Sequence, residues 1–141
     1  MLVDERDLWP DGEFVTTHLI VRTEFLEEYP ETMTALLRGH VAAVQFATDD
    51  EAAAKTSVNA GLEASGSSAL PAEVLDRAWA NLTATYDPIA SALEKSAEDG
   101  FAAGTTETEV DLAGIYDLRL LNSVLDDLGL DPVSAGGLGQ D

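Results

Sequence analysis

Cysteine, basic side chains and long apolar runs are missing or scarce in this chain of 141 residues. Without cysteine there is no disulfide framework, no thiolate metal site and no cysteine nucleophile. Seven basic residues stand against 27 acidic ones, which argues against a nucleic-acid partner, because binding to phosphates needs clustered Lys and Arg. No apolar run approaches the ~20 residues that a membrane-spanning helix requires.

The composition that remains is that of a globular protein with a modest core. Hydrophobic residues make up 45% of the chain and charged residues 24%, with a formal net charge of −20. Acidic helical faces are most simply solvated surface, and they also suit a salt-adapted protein. The N-terminus, from Met1 to Arg6, shows no basic region followed by an apolar stretch, so the sequence predicts no signal peptide there.

Residues 14–22 are the one convincing strand candidate. They are rich in β-branched and aromatic residues and end in the apolar run Leu19, Ile20 and Val21, which is typical of a largely buried strand. A turn is predicted just before them, where Asp11 and Gly12 follow Pro10. A single strand cannot satisfy its own backbone groups, so its partner strand is expected to lie outside this chain.

Helical patterns follow from Thr23 onwards, so the expected fold class is mainly α with one principal β-strand. Helix-start signals precede or open the predicted helices; they are Thr23, Pro30, Asp49 with Asp50, Pro71, Asp87 with Pro88, and Asp117. Residues 83–86 are predicted to form an extended connector. Residues 131–141, rich in glycine, are predicted to be a disordered tail.

Catalytic and metal-binding patterns are missing, so the sequence predicts no catalytic residue, no metal ligand and no cofactor. His18 and His40 have no metal-ligand spacing, and packing roles are favoured for both. The glycines at residues 136–139 precede no helix and cannot form a phosphate-binding loop. We therefore expect the protein not to be an enzyme.

Four stretches carry a resemblance to a known family. They are LWPDGEFVTTHLIVRTEFLEEYPE (8–31), LPAEV (70–74), NLTATYDPIAS (81–91) and GIYDLRLLN (114–122). In this order and at these separations they resemble the C-terminal portion of substrate-binding proteins of the aliphatic sulfonate, taurine and nitrate ABC-transporter group. The resemblance implies a C-terminal fragment of an α/β clamshell fold, the type II periplasmic-binding-protein fold.

The resemblance also implies a division of the chain and a function. Residues 1–13 would be the edge of the second lobe, 14–22 the crossover strand at the hinge, and 23–130 the helical return into the first lobe. The protein would serve an importer of a small anion such as a sulfonate, taurine or nitrate, outside the cytoplasm and at the membrane, docking on the permease. The fragment alone is expected to bind no ligand. The residues expected to face the cleft are Thr16, Thr17, His18, Thr83, Thr85, Tyr86 and Asp87.

Two alternatives accompany this interpretation. The first is a stand-alone helical interaction module that self-associates through the exposed edge of the strand, because an open edge invites pairing with a second copy. The second is an enzyme, since a pyrimidine-precursor synthase of thiamin biosynthesis and an aromatic sulfinate desulfinase share the clamshell fold. Their catalytic residues would have to lie in the missing portion, so this alternative ranks last.

Overall fold

The computed structural model describes residues 2–141 and is mainly helical, which confirms the expected class. Helices make up 55% of it, as six α-helices and two short 3-10 helices, Glu5–Leu8 and Pro10–Gly12, together with a small parallel sheet of two strands. The helices are α1 Thr23–Glu28, α2 Pro30–Asp49, α3 Glu51–Ala64, α4 Ala72–Trp79, α5 Ala90–Ala102 and α6 Arg119–Asp127, and the strands are β1 Tyr116–Asp117 and β2 Gly139–Gln140. Two compact units divide the chain: the first runs up to Leu37 and resumes over Asp87–Asp141, and the second is Arg38–Tyr86.

Several predicted helix starts are confirmed. Pro30 opens α2, where its fixed φ and missing N–H cost nothing. Asp50 caps α3, with its carboxylate accepting a hydrogen bond from the Ala53 N–H at 3.0 Å. Pro71 lies just before the first residue of α4. The turn before residue 14 is present as well, with Asp11 and Gly12 both at positive φ.

The start predicted for α5 is wrong by two residues. The helix begins at Ala90 and not at Pro88, because Ile89 adopts a left-handed conformation with φ of 47°. The Asp87 carboxylate accepts a hydrogen bond from the Ile89 N–H at 2.8 Å, so Asp87 caps a turn that precedes the helix. Asp117 similarly lies in β1, two residues before α6 begins, and its carboxylate accepts from the Arg119 N–H.

The predicted strand over residues 14–22 is not formed. No strand is assigned there, a bend lies at Thr16, and among the described residues no backbone hydrogen bond involves residues 14–21. The backbone is extended at both ends, at Glu13 and at Arg22. β-Branched composition favours an extended backbone, but a strand also needs a neighbour to pair with. The described chain supplies none.

The prediction of a disordered tail is wrong, because the last residues pair with β1. Tyr116 lies opposite Gly139 and Asp117 opposite Gln140, in parallel register. Gly139 is required at this crossing, since a Cβ atom there would collide with the Tyr116 carbonyl.

Asn122 of α6 holds the segment that precedes β2 through hydrogen bonds to its backbone. Its side-chain amide donates to the Val133 carbonyl and accepts from the Val133 N–H, both at 2.9 Å. The Asp141 carboxylate then accepts from the Ala135 N–H, and Ala135 is only 1% exposed. Hydrogen bonds from two side chains therefore order a segment whose own composition has little tendency to fold.

Each unit has a small apolar core. In the first unit, half of the buried apolar residues belong to α6 or directly precede it; they are Leu118, Leu121, Val124 and Leu125. In the second unit they are Val41, Ala54 and Leu75. Lys55 on α3 contacts the Asp76 carboxylate at 2.7 Å and lies 5.8 Å from the Trp79 ring centroid, which ties α3 to α4.

Large apolar side chains are exposed more often than they are buried. Among residues 2–141, seven apolar residues larger than alanine are buried, against 17 large apolar residues that are exposed. Monomeric proteins expose single apolar residues routinely, but a contiguous exposed group marks a contact surface. Such a group occurs at Leu19, Ile20 and Val21, which are 57%, 88% and 41% exposed.

Candidate functional site

Among the described residues, the side chains of residues 16–21 make one hydrogen bond and ring contact, which joins His18 to Tyr116. The His18 Nε2 lies 3.2 Å from the Tyr116 hydroxyl oxygen, and the two ring centroids are 6.1 Å apart at an interplanar angle of 30°. His18 comes from the irregular segment after the first turns, and Tyr116 comes from β1. The contact therefore links parts of the first unit that are 98 residues apart in sequence.

The Tyr116 hydroxyl has a second neighbour, the carbonyl of Pro88 at 3.5 Å. Burial raises the pKa of Tyr116, and the negative charge of Asp87 raises it further, so the hydroxyl keeps its proton well above neutral pH. The hydroxyl has one proton, which it donates either to His18 Nε2 or to the Pro88 carbonyl. When it donates to Pro88, the imidazole N–H donates to the hydroxyl oxygen, so the cluster accommodates both tautomers of His18.

Backbone strain lies beside the same cluster. Ile89, directly after Pro88, is a β-branched residue with φ of 47°, a conformation that such residues avoid. Conformations of this kind cost roughly 1–3 kcal/mol and persist where the surrounding structure enforces them, often at binding sites. We call this region the His18–Tyr116 cluster. It comprises His18, Tyr116, the Asp87–Ile89 turn and the exposed Thr16 and Thr17.

The chemistry that this cluster offers is hydrogen bonding. It offers hydroxyl and imidazole donors at the surface, with one carboxylate nearby. Among residues 2–141 there is no group of three or more His, Asp or Glu side chains placed to hold a metal ion. The Asp87 charge would oppose an anion at the Tyr116 hydroxyl, so the Thr16 and Thr17 side of the cluster suits an anion better.

The seven residues predicted from the sequence fall in both units. Four lie in the first unit, where Thr16 and Thr17 are exposed, His18 contacts Tyr116 and Asp87 acts electrostatically on Tyr116. The other three, Thr83, Thr85 and Tyr86, lie in the second unit after α4, with Tyr86 half-buried. Tyr116 itself was not predicted as a site residue, because its role depends on a partner far away in sequence.

A second polar feature lies within the second unit, between α3 and α4. Lys55, Thr56, Asn59 and Asp76 line a shallow depression of about 180 Å³ together with Ala72 and Leu75. Hydrogen bonds from Lys55 to Asp76 and then to Glu51 raise the pKa of the lysine. The Asn59 amide exchanges two hydrogen bonds with the backbone of Leu70. Each of these polar side chains already has a hydrogen-bonding partner in the second unit, so the depression is explained as the junction of α3 with α4.

Comparisons with known proteins give no relative. No protein-family model matches the chain, and no curated protein or solved structure is significantly similar to it. Within residues 2–141, no helix combines the length and the apolarity needed to cross a membrane.

Proposed function

We propose that this chain is the C-terminal part of a solute-binding component of an ABC importer for a sulfonate, taurine, nitrate or a similar small anion. The observation that carries the proposal is the unpaired segment of residues 14–22. It has the composition of a strand, makes no backbone hydrogen bond over residues 14–21 among the described residues, and exposes Leu19 and Ile20. A crossover strand between two lobes would have these properties when most of its sheet is supplied by other sequence.

The four stretches that resemble this transporter group support the proposal from the side of the sequence. The resemblance implies that residues 14–22 lie at the hinge, residues 1–13 at the edge of the second lobe and residues 23–130 in the return to the first. Hinge closure about the segment would trap the ligand, and the closed form would dock on the permease outside the cytoplasm.

In the first unit, the donors that we expect to face the anion are the Thr16 and Thr17 hydroxyls and the His18 imidazole. Thr83, Thr85 and Tyr86 lie in the second unit and are candidates from the resemblance alone. Neutral donors can hold an anion on a protein with a net charge of −20, because screening removes distant charges while close dipoles act fully. Asp87 contributes by capping the Ile89 turn, which positions the Pro88 carbonyl against Tyr116.

Two measurements test the proposal. Sequencing the gene upstream of the first codon should reveal an in-frame lobe with a leader, whereas a stop codon next to a promoter and ribosome-binding site would overturn it. Calorimetry with taurine, ethanesulfonate and nitrate should then show binding by the extended protein and none by this chain alone. Micromolar binding by this chain alone would contradict the requirement for a second lobe.

A further inference from the structure

Residues 14–20 are complementary to themselves when two copies run antiparallel with Thr17 at the centre. Phe14 then lies opposite Ile20 of the other copy, Val15 opposite Leu19, and Thr16 opposite His18. Aromatic with β-branched, aliphatic with aliphatic and Thr with Thr are cross-strand pairs that stabilise sheets. Each pair occurs twice, once with the roles of the two copies exchanged, as a two-fold axis through Thr17 requires.

The backbone of this segment is available for such pairing. Among the described residues no backbone hydrogen bond uses residues 14–21, and Ile20 is 88% exposed. An unpaired edge is a template for another strand. Pairing would have to straighten the bend at Thr16 and to leave room for Phe14, which is half-buried and stacks on Trp9 with ring centroids 5.1 Å apart.

Charge also distinguishes this segment from much of the surface. Residues 14–23 contain no acidic side chain in a chain that has 27 of them. Two copies with a net charge of −20 each repel one another, but across this segment no carboxylate faces another. Salt screens the remaining repulsion between exposed charges and leaves the apolar pairs intact.

We infer that two copies of this chain form a symmetric dimer by antiparallel pairing of residues 14–20 about Thr17, and that salt strengthens the dimer. The inference goes beyond the proposed function. A strand has two hydrogen-bonding edges, so one edge can pair with the sheet of a lobe while the other pairs with a second copy of this chain. It concerns this chain as it stands, whatever precedes it in the gene.

Oligomeric state as a function of salt gives the first test. Sedimentation of the full chain should show a dimer fraction that rises from about 0.1 M to about 1 M NaCl, as the Debye length falls from about 10 Å to about 3 Å. Ile20→Asp should raise the dimer dissociation constant at least about tenfold, because the substitution counts twice in a symmetric dimer. Leu82→Asp, at a residue 64% exposed in the second unit, is the matched control and should leave the constant unchanged.

The absence of cysteine allows the register to be tested directly. Thr17→Cys places two thiols across the axis, with Cα atoms about 5 Å apart, within disulfide range. Val21→Cys places them about 27 Å apart at about 3.4 Å per residue, out of reach. Under mild oxidation the first variant should form a covalent dimer rapidly and the second should not.

Three outcomes would overturn the inference. One is a monomer at every salt concentration, which would mean that residues 14–20 do not pair with a second copy of this chain. Another is a dimer that Ile20→Asp and Leu82→Asp weaken equally. The third is equal cross-linking of Thr17→Cys and Val21→Cys, which would contradict the register. None of these results bears on the gene sequence, so the proposed function stands or falls separately.

Discussion

Asn122→Ala should detach the C-terminal segment from α6 and destabilise the first unit. The Asn122 side chain makes two partly buried hydrogen bonds to the Val133 backbone, each at 2.9 Å. Its Nδ2 donates to the Val133 carbonyl, and its Oδ1 accepts from the Val133 N–H. A hydrogen bond contributes about 1 kcal/mol net, so removing both should lower the free energy of unfolding by about 2 kcal/mol. At about 4 °C per kcal/mol, the melting temperature should fall by about 8 °C.

The measurement combines urea unfolding, followed by circular dichroism, with amide hydrogen exchange. Beyond the loss of stability, the Tyr116 and Leu118 amides should exchange faster in the variant, because they donate to the carbonyls of Leu138 and Gln140 in the tail. Asn122→Asp should be at least as harmful, since it keeps an acceptor but faces the Val133 carbonyl with a negative charge.

Ser123→Ala is the matched control for this prediction. Ser123 is the next residue on α6 and is exposed, and alanine favours the helix, so stability should change by less than about 0.5 kcal/mol. If Asn122→Ala unfolds within about 0.5 kcal/mol of the wild type, the two hydrogen bonds do not hold the tail in solution, and our account of its order is wrong.

Two further predictions concern the core and the response to acid. Leu125→Ala, at a fully buried residue of α6, should cost about 2–5 kcal/mol by urea unfolding, whereas Leu128→Ala, 45% exposed, should cost under about 1 kcal/mol; equal losses would contradict the assigned core. The hydrogen bonds from Arg119 hold the pKa of Asp117 below its unfolded value of about 3.9. The ionised carboxylate therefore stabilises the fold above about pH 4. This contribution is lost as the pH falls through the lower pKa of the folded state. Asp117→Asn should therefore flatten the loss of stability in that acidic range, and an unchanged pH profile would refute the assignment.

Helices could be predicted from this sequence because their signals are local. Pro30, Asp50 and Pro71 mark helix starts through the fixed φ of proline and the capping oxygen of aspartate, and the structure confirms all three. α5 was placed too early because the left-handed conformation of Ile89 has no sequence signature. A β-branched residue is among the last expected there.

Sheet pairing and the candidate site were harder to predict because they depend on distant partners. β1 and β2 have two residues each, too few to show an alternating pattern. Between the last residue of β1, Asp117, and the first residue of β2, Gly139, lie 21 residues. The tail was predicted to be disordered from its glycines, while its order comes from the side chain of Asn122. His18 was predicted as a site residue and its partner Tyr116 was not, since nothing near Tyr116 in sequence indicates the contact.

The two tryptophans give each unit its own fluorescent reporter. Trp9 belongs to the first unit and Trp79 to the second, and each has a lysine ammonium 5.8 Å from its ring centroid, Lys95 and Lys55 respectively. Emission from an indole is sensitive to a nearby charge, so separation of each lysine from its ring on unfolding would change the signal. Trp9→Phe and Trp79→Phe would thus yield two single-tryptophan proteins, in which the melting of either unit can be followed without an extrinsic dye.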